Sequence, residues 1–145
     1  MKKKIFWILS LIMMIFIFYM SNKNGASSGH LSESLVNFLS SIGFNINPHN
    51  KDFIHFIIRK LAHISEYLVL TFLLFNALIC DLSFKKSLLL SSIISILYSM
   101  TDEFHQIFIP GRVGTIKDVF IDFIGVFIFN FFNILNKYIR KSNEK

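Results

Sequence analysis

Residues 59–80, RKLAHISEYLVLTFLLFNALIC, decide the fold, because they join a charged start to a long apolar run. A helix rises about 1.5 Å per residue, so about 20 residues cover the roughly 30 Å hydrocarbon core of a bilayer. The stretch therefore predicts a membrane-spanning helix with ionisable side chains near one end. Such side chains are costly in a membrane, so they indicate a functional site.

The composition of the whole chain favours the same environment. Of its 145 residues 53% are hydrophobic, 18 are Phe, and the mean hydropathy is +0.56. These values are not typical of a soluble domain. The length fits a single domain, 1–145, and the lone Cys80 excludes an intramolecular disulfide framework.

Four apolar runs predict an all-α membrane protein built as a four-helix bundle. The expected spans are residues 4–21, 59–80, 86–106 and 117–136, with an outer loop at 22–52. The third run reaches full length only by continuing through the polar segment 101–108. The basic start also resembles a signal peptide, but no clean cleavage site follows, and we interpret it as the first span.

The long outer loop contains its own helical pattern. Residues 21–29 are rich in Ser, Asn and Gly and are expected to be irregular. Apolar residues then recur at helical spacing, which predicts an amphipathic helix on the outer leaflet: Leu31, Leu35, Phe38, Leu39 and Ile42. Residues 53–58 begin a helix that either continues into the second span or lies beside it. The short turn 81–86 makes spans two and three antiparallel neighbours.

The distribution of Lys and Arg predicts the orientation. With the amino terminus inside, nine of the fifteen basic residues lie on the inner face, close to the ends of spans. The protein is therefore expected in the plasma membrane as a multi-pass protein with both termini in the cytoplasm. The basic rim is typical of contact with lipid headgroups, so membrane lipids are expected partners and nucleic acid is not.

Rare polar residues fall on helical stripes at the outer ends of three spans. Arg59, His63 and Glu66 stand at i, i+4 and i+7. The third span carries two stripes, and the fourth carries a pair at i and i+4: Ser95, Tyr98, Asp102 and His105; Ser99, Glu103 and Gln106; Asp118 and Asp122. At comparable depth, these residues would share one outer pocket.

Two polar blocks identify a resemblance to a known family. The blocks R-K-x-x-H-x-x-E-Y at 59–67 and D-E-x-H-Q-x-F-x-P-G-R at 102–112, followed by Asp118, resemble the signature of VanZ-like membrane proteins. The resemblance covers nearly the whole chain and implies a role in resistance to glycopeptide antibiotics such as teicoplanin. The chain departs from the family pattern at Asp122, where Asn is more frequent, and at Phe129, where a small residue is more frequent.

The polar cluster has three interpretations. In the first it is a structural network of paired charges, and the protein is a non-catalytic scaffold for other envelope proteins. In the second it binds or modifies an envelope lipid, a lipid precursor or a headgroup, by phosphoryl or acyl chemistry. The candidate catalytic residues are then His63, Glu66, Asp102, Glu103 and His105. The candidate substrate-binding residues are Arg59, Tyr67, Gln106, Arg112, Asp118 and Asp122. Whether the protein is an enzyme stays open.

The third interpretation is a metal site. No cofactor is expected on balance, but the spacings H-x-x-E and D-x-x-H each place an imidazole and a carboxylate one turn apart. A zinc ion would then be bound by His63, Glu66, Asp102 and His105. Nearby arginines compete for these carboxylates and count against this interpretation. For Asp118, capping the start of the fourth span is an alternative to a role in the site.

Overall fold

A computed structural model of the chain describes residues 2–143 and contains five helices. They are α1 Lys2–Ser21, α2 Gly25–Ser41, α3 Lys51–Leu78, α4 Phe84–Gln106 and α5 Ile116–Asn143. No strand occurs in this part of the chain, which confirms the all-α prediction.

Three of the helices are long and apolar enough to cross a membrane. Within residues 2–143, these are α1, α3 and α5. The 23 residues of α4 would measure about 35 Å, but its serines and acids make it less apolar than the other three. Apolar helices thus indicate a membrane protein, while the four-span bundle stays a prediction.

Two expectations about the loop between the first spans need correction or refinement. Residues 21–29 were expected to be irregular, but α2 begins at Gly25, so this prediction is wrong for 25–29. The segment 53–58 lies inside α3, which runs without a break from Lys51 to Leu78. The position of α2 relative to a membrane stays a prediction.

The end of α2 is a glycine turn. Gly43 has a φ of +102°, a conformation that side chains with a Cβ rarely adopt. The Gly43 amide donates to the Ser40 carbonyl at 3.1 Å, and the Phe44 amide donates to the Leu39 carbonyl at 3.1 Å. This pair of hydrogen bonds is a Schellman motif, which ends the helix and turns the chain toward α3.

Contacts between helix ends give the direction of each helix. Lys3 forms an ion pair with Asp81, so the start of α1 lies beside the turn between α3 and α4. The Arg112 guanidinium donates to the carbonyl of Met20, so the end of α1 lies beside the loop between α4 and α5. The Lys137 ammonium lies over the Phe84 ring, and α5 therefore returns to the first of these ends. We call the end with Arg112 the polar end.

The helices pack through small residues. On α4 a serine stripe is fully or almost fully buried: Ser87, Ser91, Ser95 and Ser99. On α5, a Cβ at Gly125 would lie 2.2 Å from the backbone oxygen of Ile64 on α3. Small residues allow such close approach between helices in membranes, where packing rather than the hydrophobic effect drives association. These small residues lie on the faces of α4 and α5 that also carry the buried acids Asp102, Glu103 and Asp122.

Candidate functional site

A cavity of about 70 Å³ lies at the polar end, between α1, α3, α4 and the loop that precedes α5. It is lined by Ile17, Met20, Ser21, Arg59, Ala62, His63, Glu66, Asp102, Gln106 and Arg112. Six of the eleven residues predicted for the site are in this lining. The volume suits a few water molecules or one small polar group.

Carboxylates and an amide form the inner wall of the cavity. Asp102 and Gln106 are 4% and 3% exposed, and the Gln106 amide donates to Asp102 Oδ2 at 3.1 Å. The same amide nitrogen lies 3.4 Å from Glu103 Oε1. Gln106 thus orients two neighbouring carboxylates, while Glu66 faces the cavity from α3.

The two arginines of the cavity differ in their partners. Arg112 donates from Nε to the Lys23 carbonyl at 3.0 Å and from Nη2 to the Met20 carbonyl at 2.9 Å. It therefore caps the carboxyl end of α1, where helix carbonyls lack partners. Gly111, with a φ of +73°, supplies the backbone turn before it. Arg59 is exposed and makes no hydrogen bond or ion pair with a described residue.

A second group of acids lies beside the cavity, between α3, α4 and α5. The ligand atoms of His63, Glu103 and Asp122 all lie within 4.8 Å of one another. His63 Nδ1 is 3.2 Å from Asp122 Oδ1. The Ser99 hydroxyl donates to Asp122 Oδ2 at 2.6 Å, and the Thr115 amide donates to Glu103 Oε2 at 3.0 Å. We call these three titratable residues the His63 cluster.

The cluster differs from the predicted zinc ligands. The sequence suggested His63, Glu66, Asp102 and His105, but the structure combines His63 with Glu103 and Asp122 instead. Arg112 also lines the cavity, but the hydrogen bonds it makes within the described residues go to backbone carbonyls and not to these carboxylates.

Five predicted residues lie outside the cavity lining, and two of them, Glu103 and Asp122, belong to the His63 cluster. The His105 ring packs against Phe18, with ring centroids 4.8 Å apart, and its Nε2 is 3.4 Å from Asn22 Oδ1. Asp118 forms an ion pair with Lys60. Tyr67 is fully buried, and its hydroxyl has no hydrogen-bond partner within residues 2–143.

At the start of α5, Asp118 and Glu103 each take part in one of the two hydrogen bonds of the expected cap. The Thr115 hydroxyl accepts the Asp118 amide at 3.3 Å, as the capping pattern predicts. In the reciprocal half of such a cap, the Asp118 carboxylate would accept the Thr115 amide, but Glu103 accepts that amide instead. Capping thereby fixes Glu103 and leaves Asp118 to pair with Lys60.

Sequence reasoning missed several partners of the site. It interpreted Ser99 as a packing residue, although Ser99 also donates to Asp122. It missed Ser21, which contributes from α1 to the cavity lining. It also missed the contact of α2 with α3, in which Glu33 binds Lys51 and His55. Helical spacing shows which residues share one helix face, but such partners depend on packing between helices.

Apolar helices around a buried cluster of acids and histidine define a helical membrane protein with a polar site near one end of its bundle. The family model described as VanZ/LLP1 matches residues 6–135. The chain belongs to this family, as its two polar blocks predicted. Among curated proteins and among solved structures, no match is found.

Proposed function

We propose that this VanZ-family protein contributes to resistance against teicoplanin-type glycopeptides. In this proposal the polar cavity faces outward and binds or modifies an envelope lipid or its headgroup. The observation that carries it is the cavity itself, because charged groups from several helices line one opening in an otherwise apolar bundle. Ionisable residues held within membrane helices indicate a functional site.

The outward orientation rests on charge. The end opposite the cavity carries basic residues on α1, α4 and α5, among them Lys3, Lys85 and Lys137. The positive-inside rule places this end in the cytoplasm, together with both termini. In this arrangement α4 also crosses the membrane, as the third of the four expected spans. Its serine and acid face is buried against other helices, so it does not expose these groups to lipid.

Arg59 is the best candidate to bind the headgroup. Its guanidinium is exposed at the cavity and is not engaged by a described residue, so it can donate two parallel hydrogen bonds to a phosphate. Glu66 and Asp102 lie inside the same cavity and repel an anion. A matching headgroup has a phosphate that binds Arg59 at the cavity opening, and an amine or hydroxyl groups that reach Glu66 and Asp102 within the cavity.

The side chains for acid-base chemistry are close together. His63 lines the cavity, and its Nδ1 lies 3.2 Å from Oδ1 of Asp122, which is outside the lining. Glu66 lines the cavity one turn further along α3. We propose that His63 acts as the general base if the lipid is modified, because imidazole transfers protons near neutral pH. Glu66, Asp102 and Glu103 then orient the imidazole or share the proton that it accepts. His105 lies outside the cavity lining and would act from there.

A susceptibility titration with teicoplanin tests the proposal. Cells express wild type, Glu66→Gln or Glu33→Gln at equal membrane levels. Both substitutions remove one carboxylate and keep its shape, but Glu66 lines the cavity whereas Glu33 lies on α2. We expect Glu66→Gln to lose protection and Glu33→Gln to keep it.

If Glu66→Gln protects as well as wild type, the cavity is not the working site. The scaffold interpretation, with the polar residues joining helices, then takes its place. If wild type itself gives no protection, the proposed link to glycopeptides is wrong.

A further inference from the structure

We propose that His63, Glu103 and Asp122 bind a divalent transition-metal ion that links α3, α4 and α5. Each ligand comes from a different helix, and their ligand atoms lie within 4.8 Å of one another. The inference is independent of the proposed function, because metal binding is measured without lipid or antibiotic.

The distances are close to those of a metal site. Zinc lies about 2.0 to 2.2 Å from nitrogen and oxygen ligands, so two ligands of a tetrahedral ion are about 3.4 Å apart. His63 Nδ1 and Asp122 Oδ1 already lie 3.2 Å apart. A Glu103 oxygen lies within 4.8 Å of a ligand atom of each residue, so it is at most about 1.4 Å beyond the ligand spacing of about 3.4 Å.

Two buried polar atoms of the cluster lack hydrogen-bond partners. Asp122 is 1% exposed, and its Oδ1 makes no hydrogen bond with any residue in the described range. The same holds for His63 Nδ1, because the two atoms face each other outside hydrogen-bond geometry. A buried carboxylate oxygen without a donor is costly, and a cation between the two atoms would satisfy both.

Hydrogen bonds from neighbouring groups orient the two carboxylates of the cluster. Ser99 donates to the second oxygen of Asp122, at 2.6 Å. The Thr115 amide donates to Glu103 Oε2 at 3.0 Å, and the Gln106 amide approaches Glu103 Oε1 at 3.4 Å. Outer hydrogen bonds of this kind orient the ligands of metal sites.

The charge balance also favours a cation. Within residues 2–143, no Lys or Arg nitrogen lies within 4.0 Å of the Glu103 or Asp122 carboxylates. On α3, Lys60 is paired with Asp118, and Arg59 forms no ion pair with a described carboxylate. Two carboxylates and a neutral imidazole carry a charge of −2, which a divalent ion neutralises. Mixed nitrogen and oxygen ligands suit Zn²⁺ and its first-row neighbours, and Zn²⁺ is the redox-inert probe among them.

The test measures Zn²⁺ bound to the full-length protein, purified in detergent with a tag that contains no histidine. We compare wild type with Asp122→Asn and Glu103→Gln after equilibration with Zn²⁺ and gel filtration. The matched control is Asp102→Asn, which removes a buried carboxylate next to Glu103 but outside the His63 cluster. We expect one Zn²⁺ per chain in wild type and Asp102→Asn, and at least tenfold weaker binding in the two ligand variants.

Binding that is equal in all four proteins, or absent from wild type, overturns the proposal. X-ray absorption at the zinc edge of the wild-type complex gives a second readout, which does not depend on how the variants fold. One imidazole nitrogen with oxygen ligands supports the site, whereas a sulfur ligand, which Cys80 would provide, or a shell without imidazole contradicts it. If susceptibility depends on Glu66 but Zn²⁺ does not bind, only the metal inference fails.

Discussion

The contact between Gly125 and Ile64 gives the sharpest prediction about the bundle. In a Gly125→Ala variant, the new Cβ would lie 2.2 Å from the Ile64 carbonyl oxygen and 2.9 Å from the Leu68 nitrogen. Both atoms belong to the backbone of α3, so no side-chain rotation relieves the clash. Ordinary contact begins at 3.4 Å, so α3 and α5 must separate by about 1.2 Å.

Overpacking of this kind costs about 1 to 3 kcal/mol. We expect the upper part of this range because the clash is with backbone, offset by up to about 1 kcal/mol from the better helix propensity of Ala. The net loss of unfolding free energy is then about 1 to 2 kcal/mol. Asp122 lies one turn before Gly125, and the same separation would lengthen its 3.2 Å approach to His63 beyond ion-pair distance.

The assay is thermal unfolding in detergent, with Gly29→Ala as the matched control. A Cβ at Gly29 would meet nothing within 4 Å, so this change should leave stability unchanged or raise it by up to about 1 kcal/mol. If Gly125→Ala unfolds at the same temperature as Gly29→Ala, α3 and α5 are not in close contact at this glycine, and the geometry of the His63 cluster loses its basis.

Three further predictions concern polar contacts between helices. Ser99→Ala removes the hydroxyl that donates to Asp122 and should cost about 1 to 2 kcal/mol in the same unfolding assay; no loss would show that this bond is not formed. Tyr98→Phe removes a 2.6 Å hydrogen bond to the backbone of α1 and should cost about 1 kcal/mol, whereas a more stable variant would contradict the contact. Because Lys51 donates to Glu33, the pKa of Glu33 is lowered from its ordinary value of 4.5. This pair stabilises the contact of α2 above pH 4.5 and loses its effect as the pH falls through the lowered pKa. Hydrogen exchange in α2 should therefore increase under acid relative to Glu33→Gln, and identical profiles would refute the role of the pair.

The sequence predicted the parts of the fold that depend on local pattern. Apolar runs located α1, α3 and α5, and the spacing of Arg59, His63 and Glu66 gave one shared helix face. The helix α2 was harder to predict at its start, because Gly and Ser favour neither helix nor membrane. Its contact with α3 depends on side chains far apart in sequence, such as Glu33 and Lys51.

The candidate site shows the same division between local and long-range information. Helical spacing placed Asp102 and Glu103 at the correct end of α4, but it could not show toward which neighbour each one points. Successive residues on a helix differ by about 100° in direction, so Asp102 lines the cavity while Glu103 joins Asp122. His105 packs on Phe18 for the same reason. The rotation of α4 is set by its buried serines, whose partners the sequence does not reveal.

The proposed function requires that the polar cavity opens to the outer side of the membrane. This orientation is tested most directly by labelling intact cells with a membrane-impermeant maleimide. Ala62 lines the cavity and Cys80 lies exposed at the opposite end, so wild type is compared with an Ala62→Cys, Cys80→Ser variant. We expect the variant to react in intact cells and wild type to react only after permeabilisation. Labelling of wild type in intact cells, with the variant protected until permeabilisation, would contradict it.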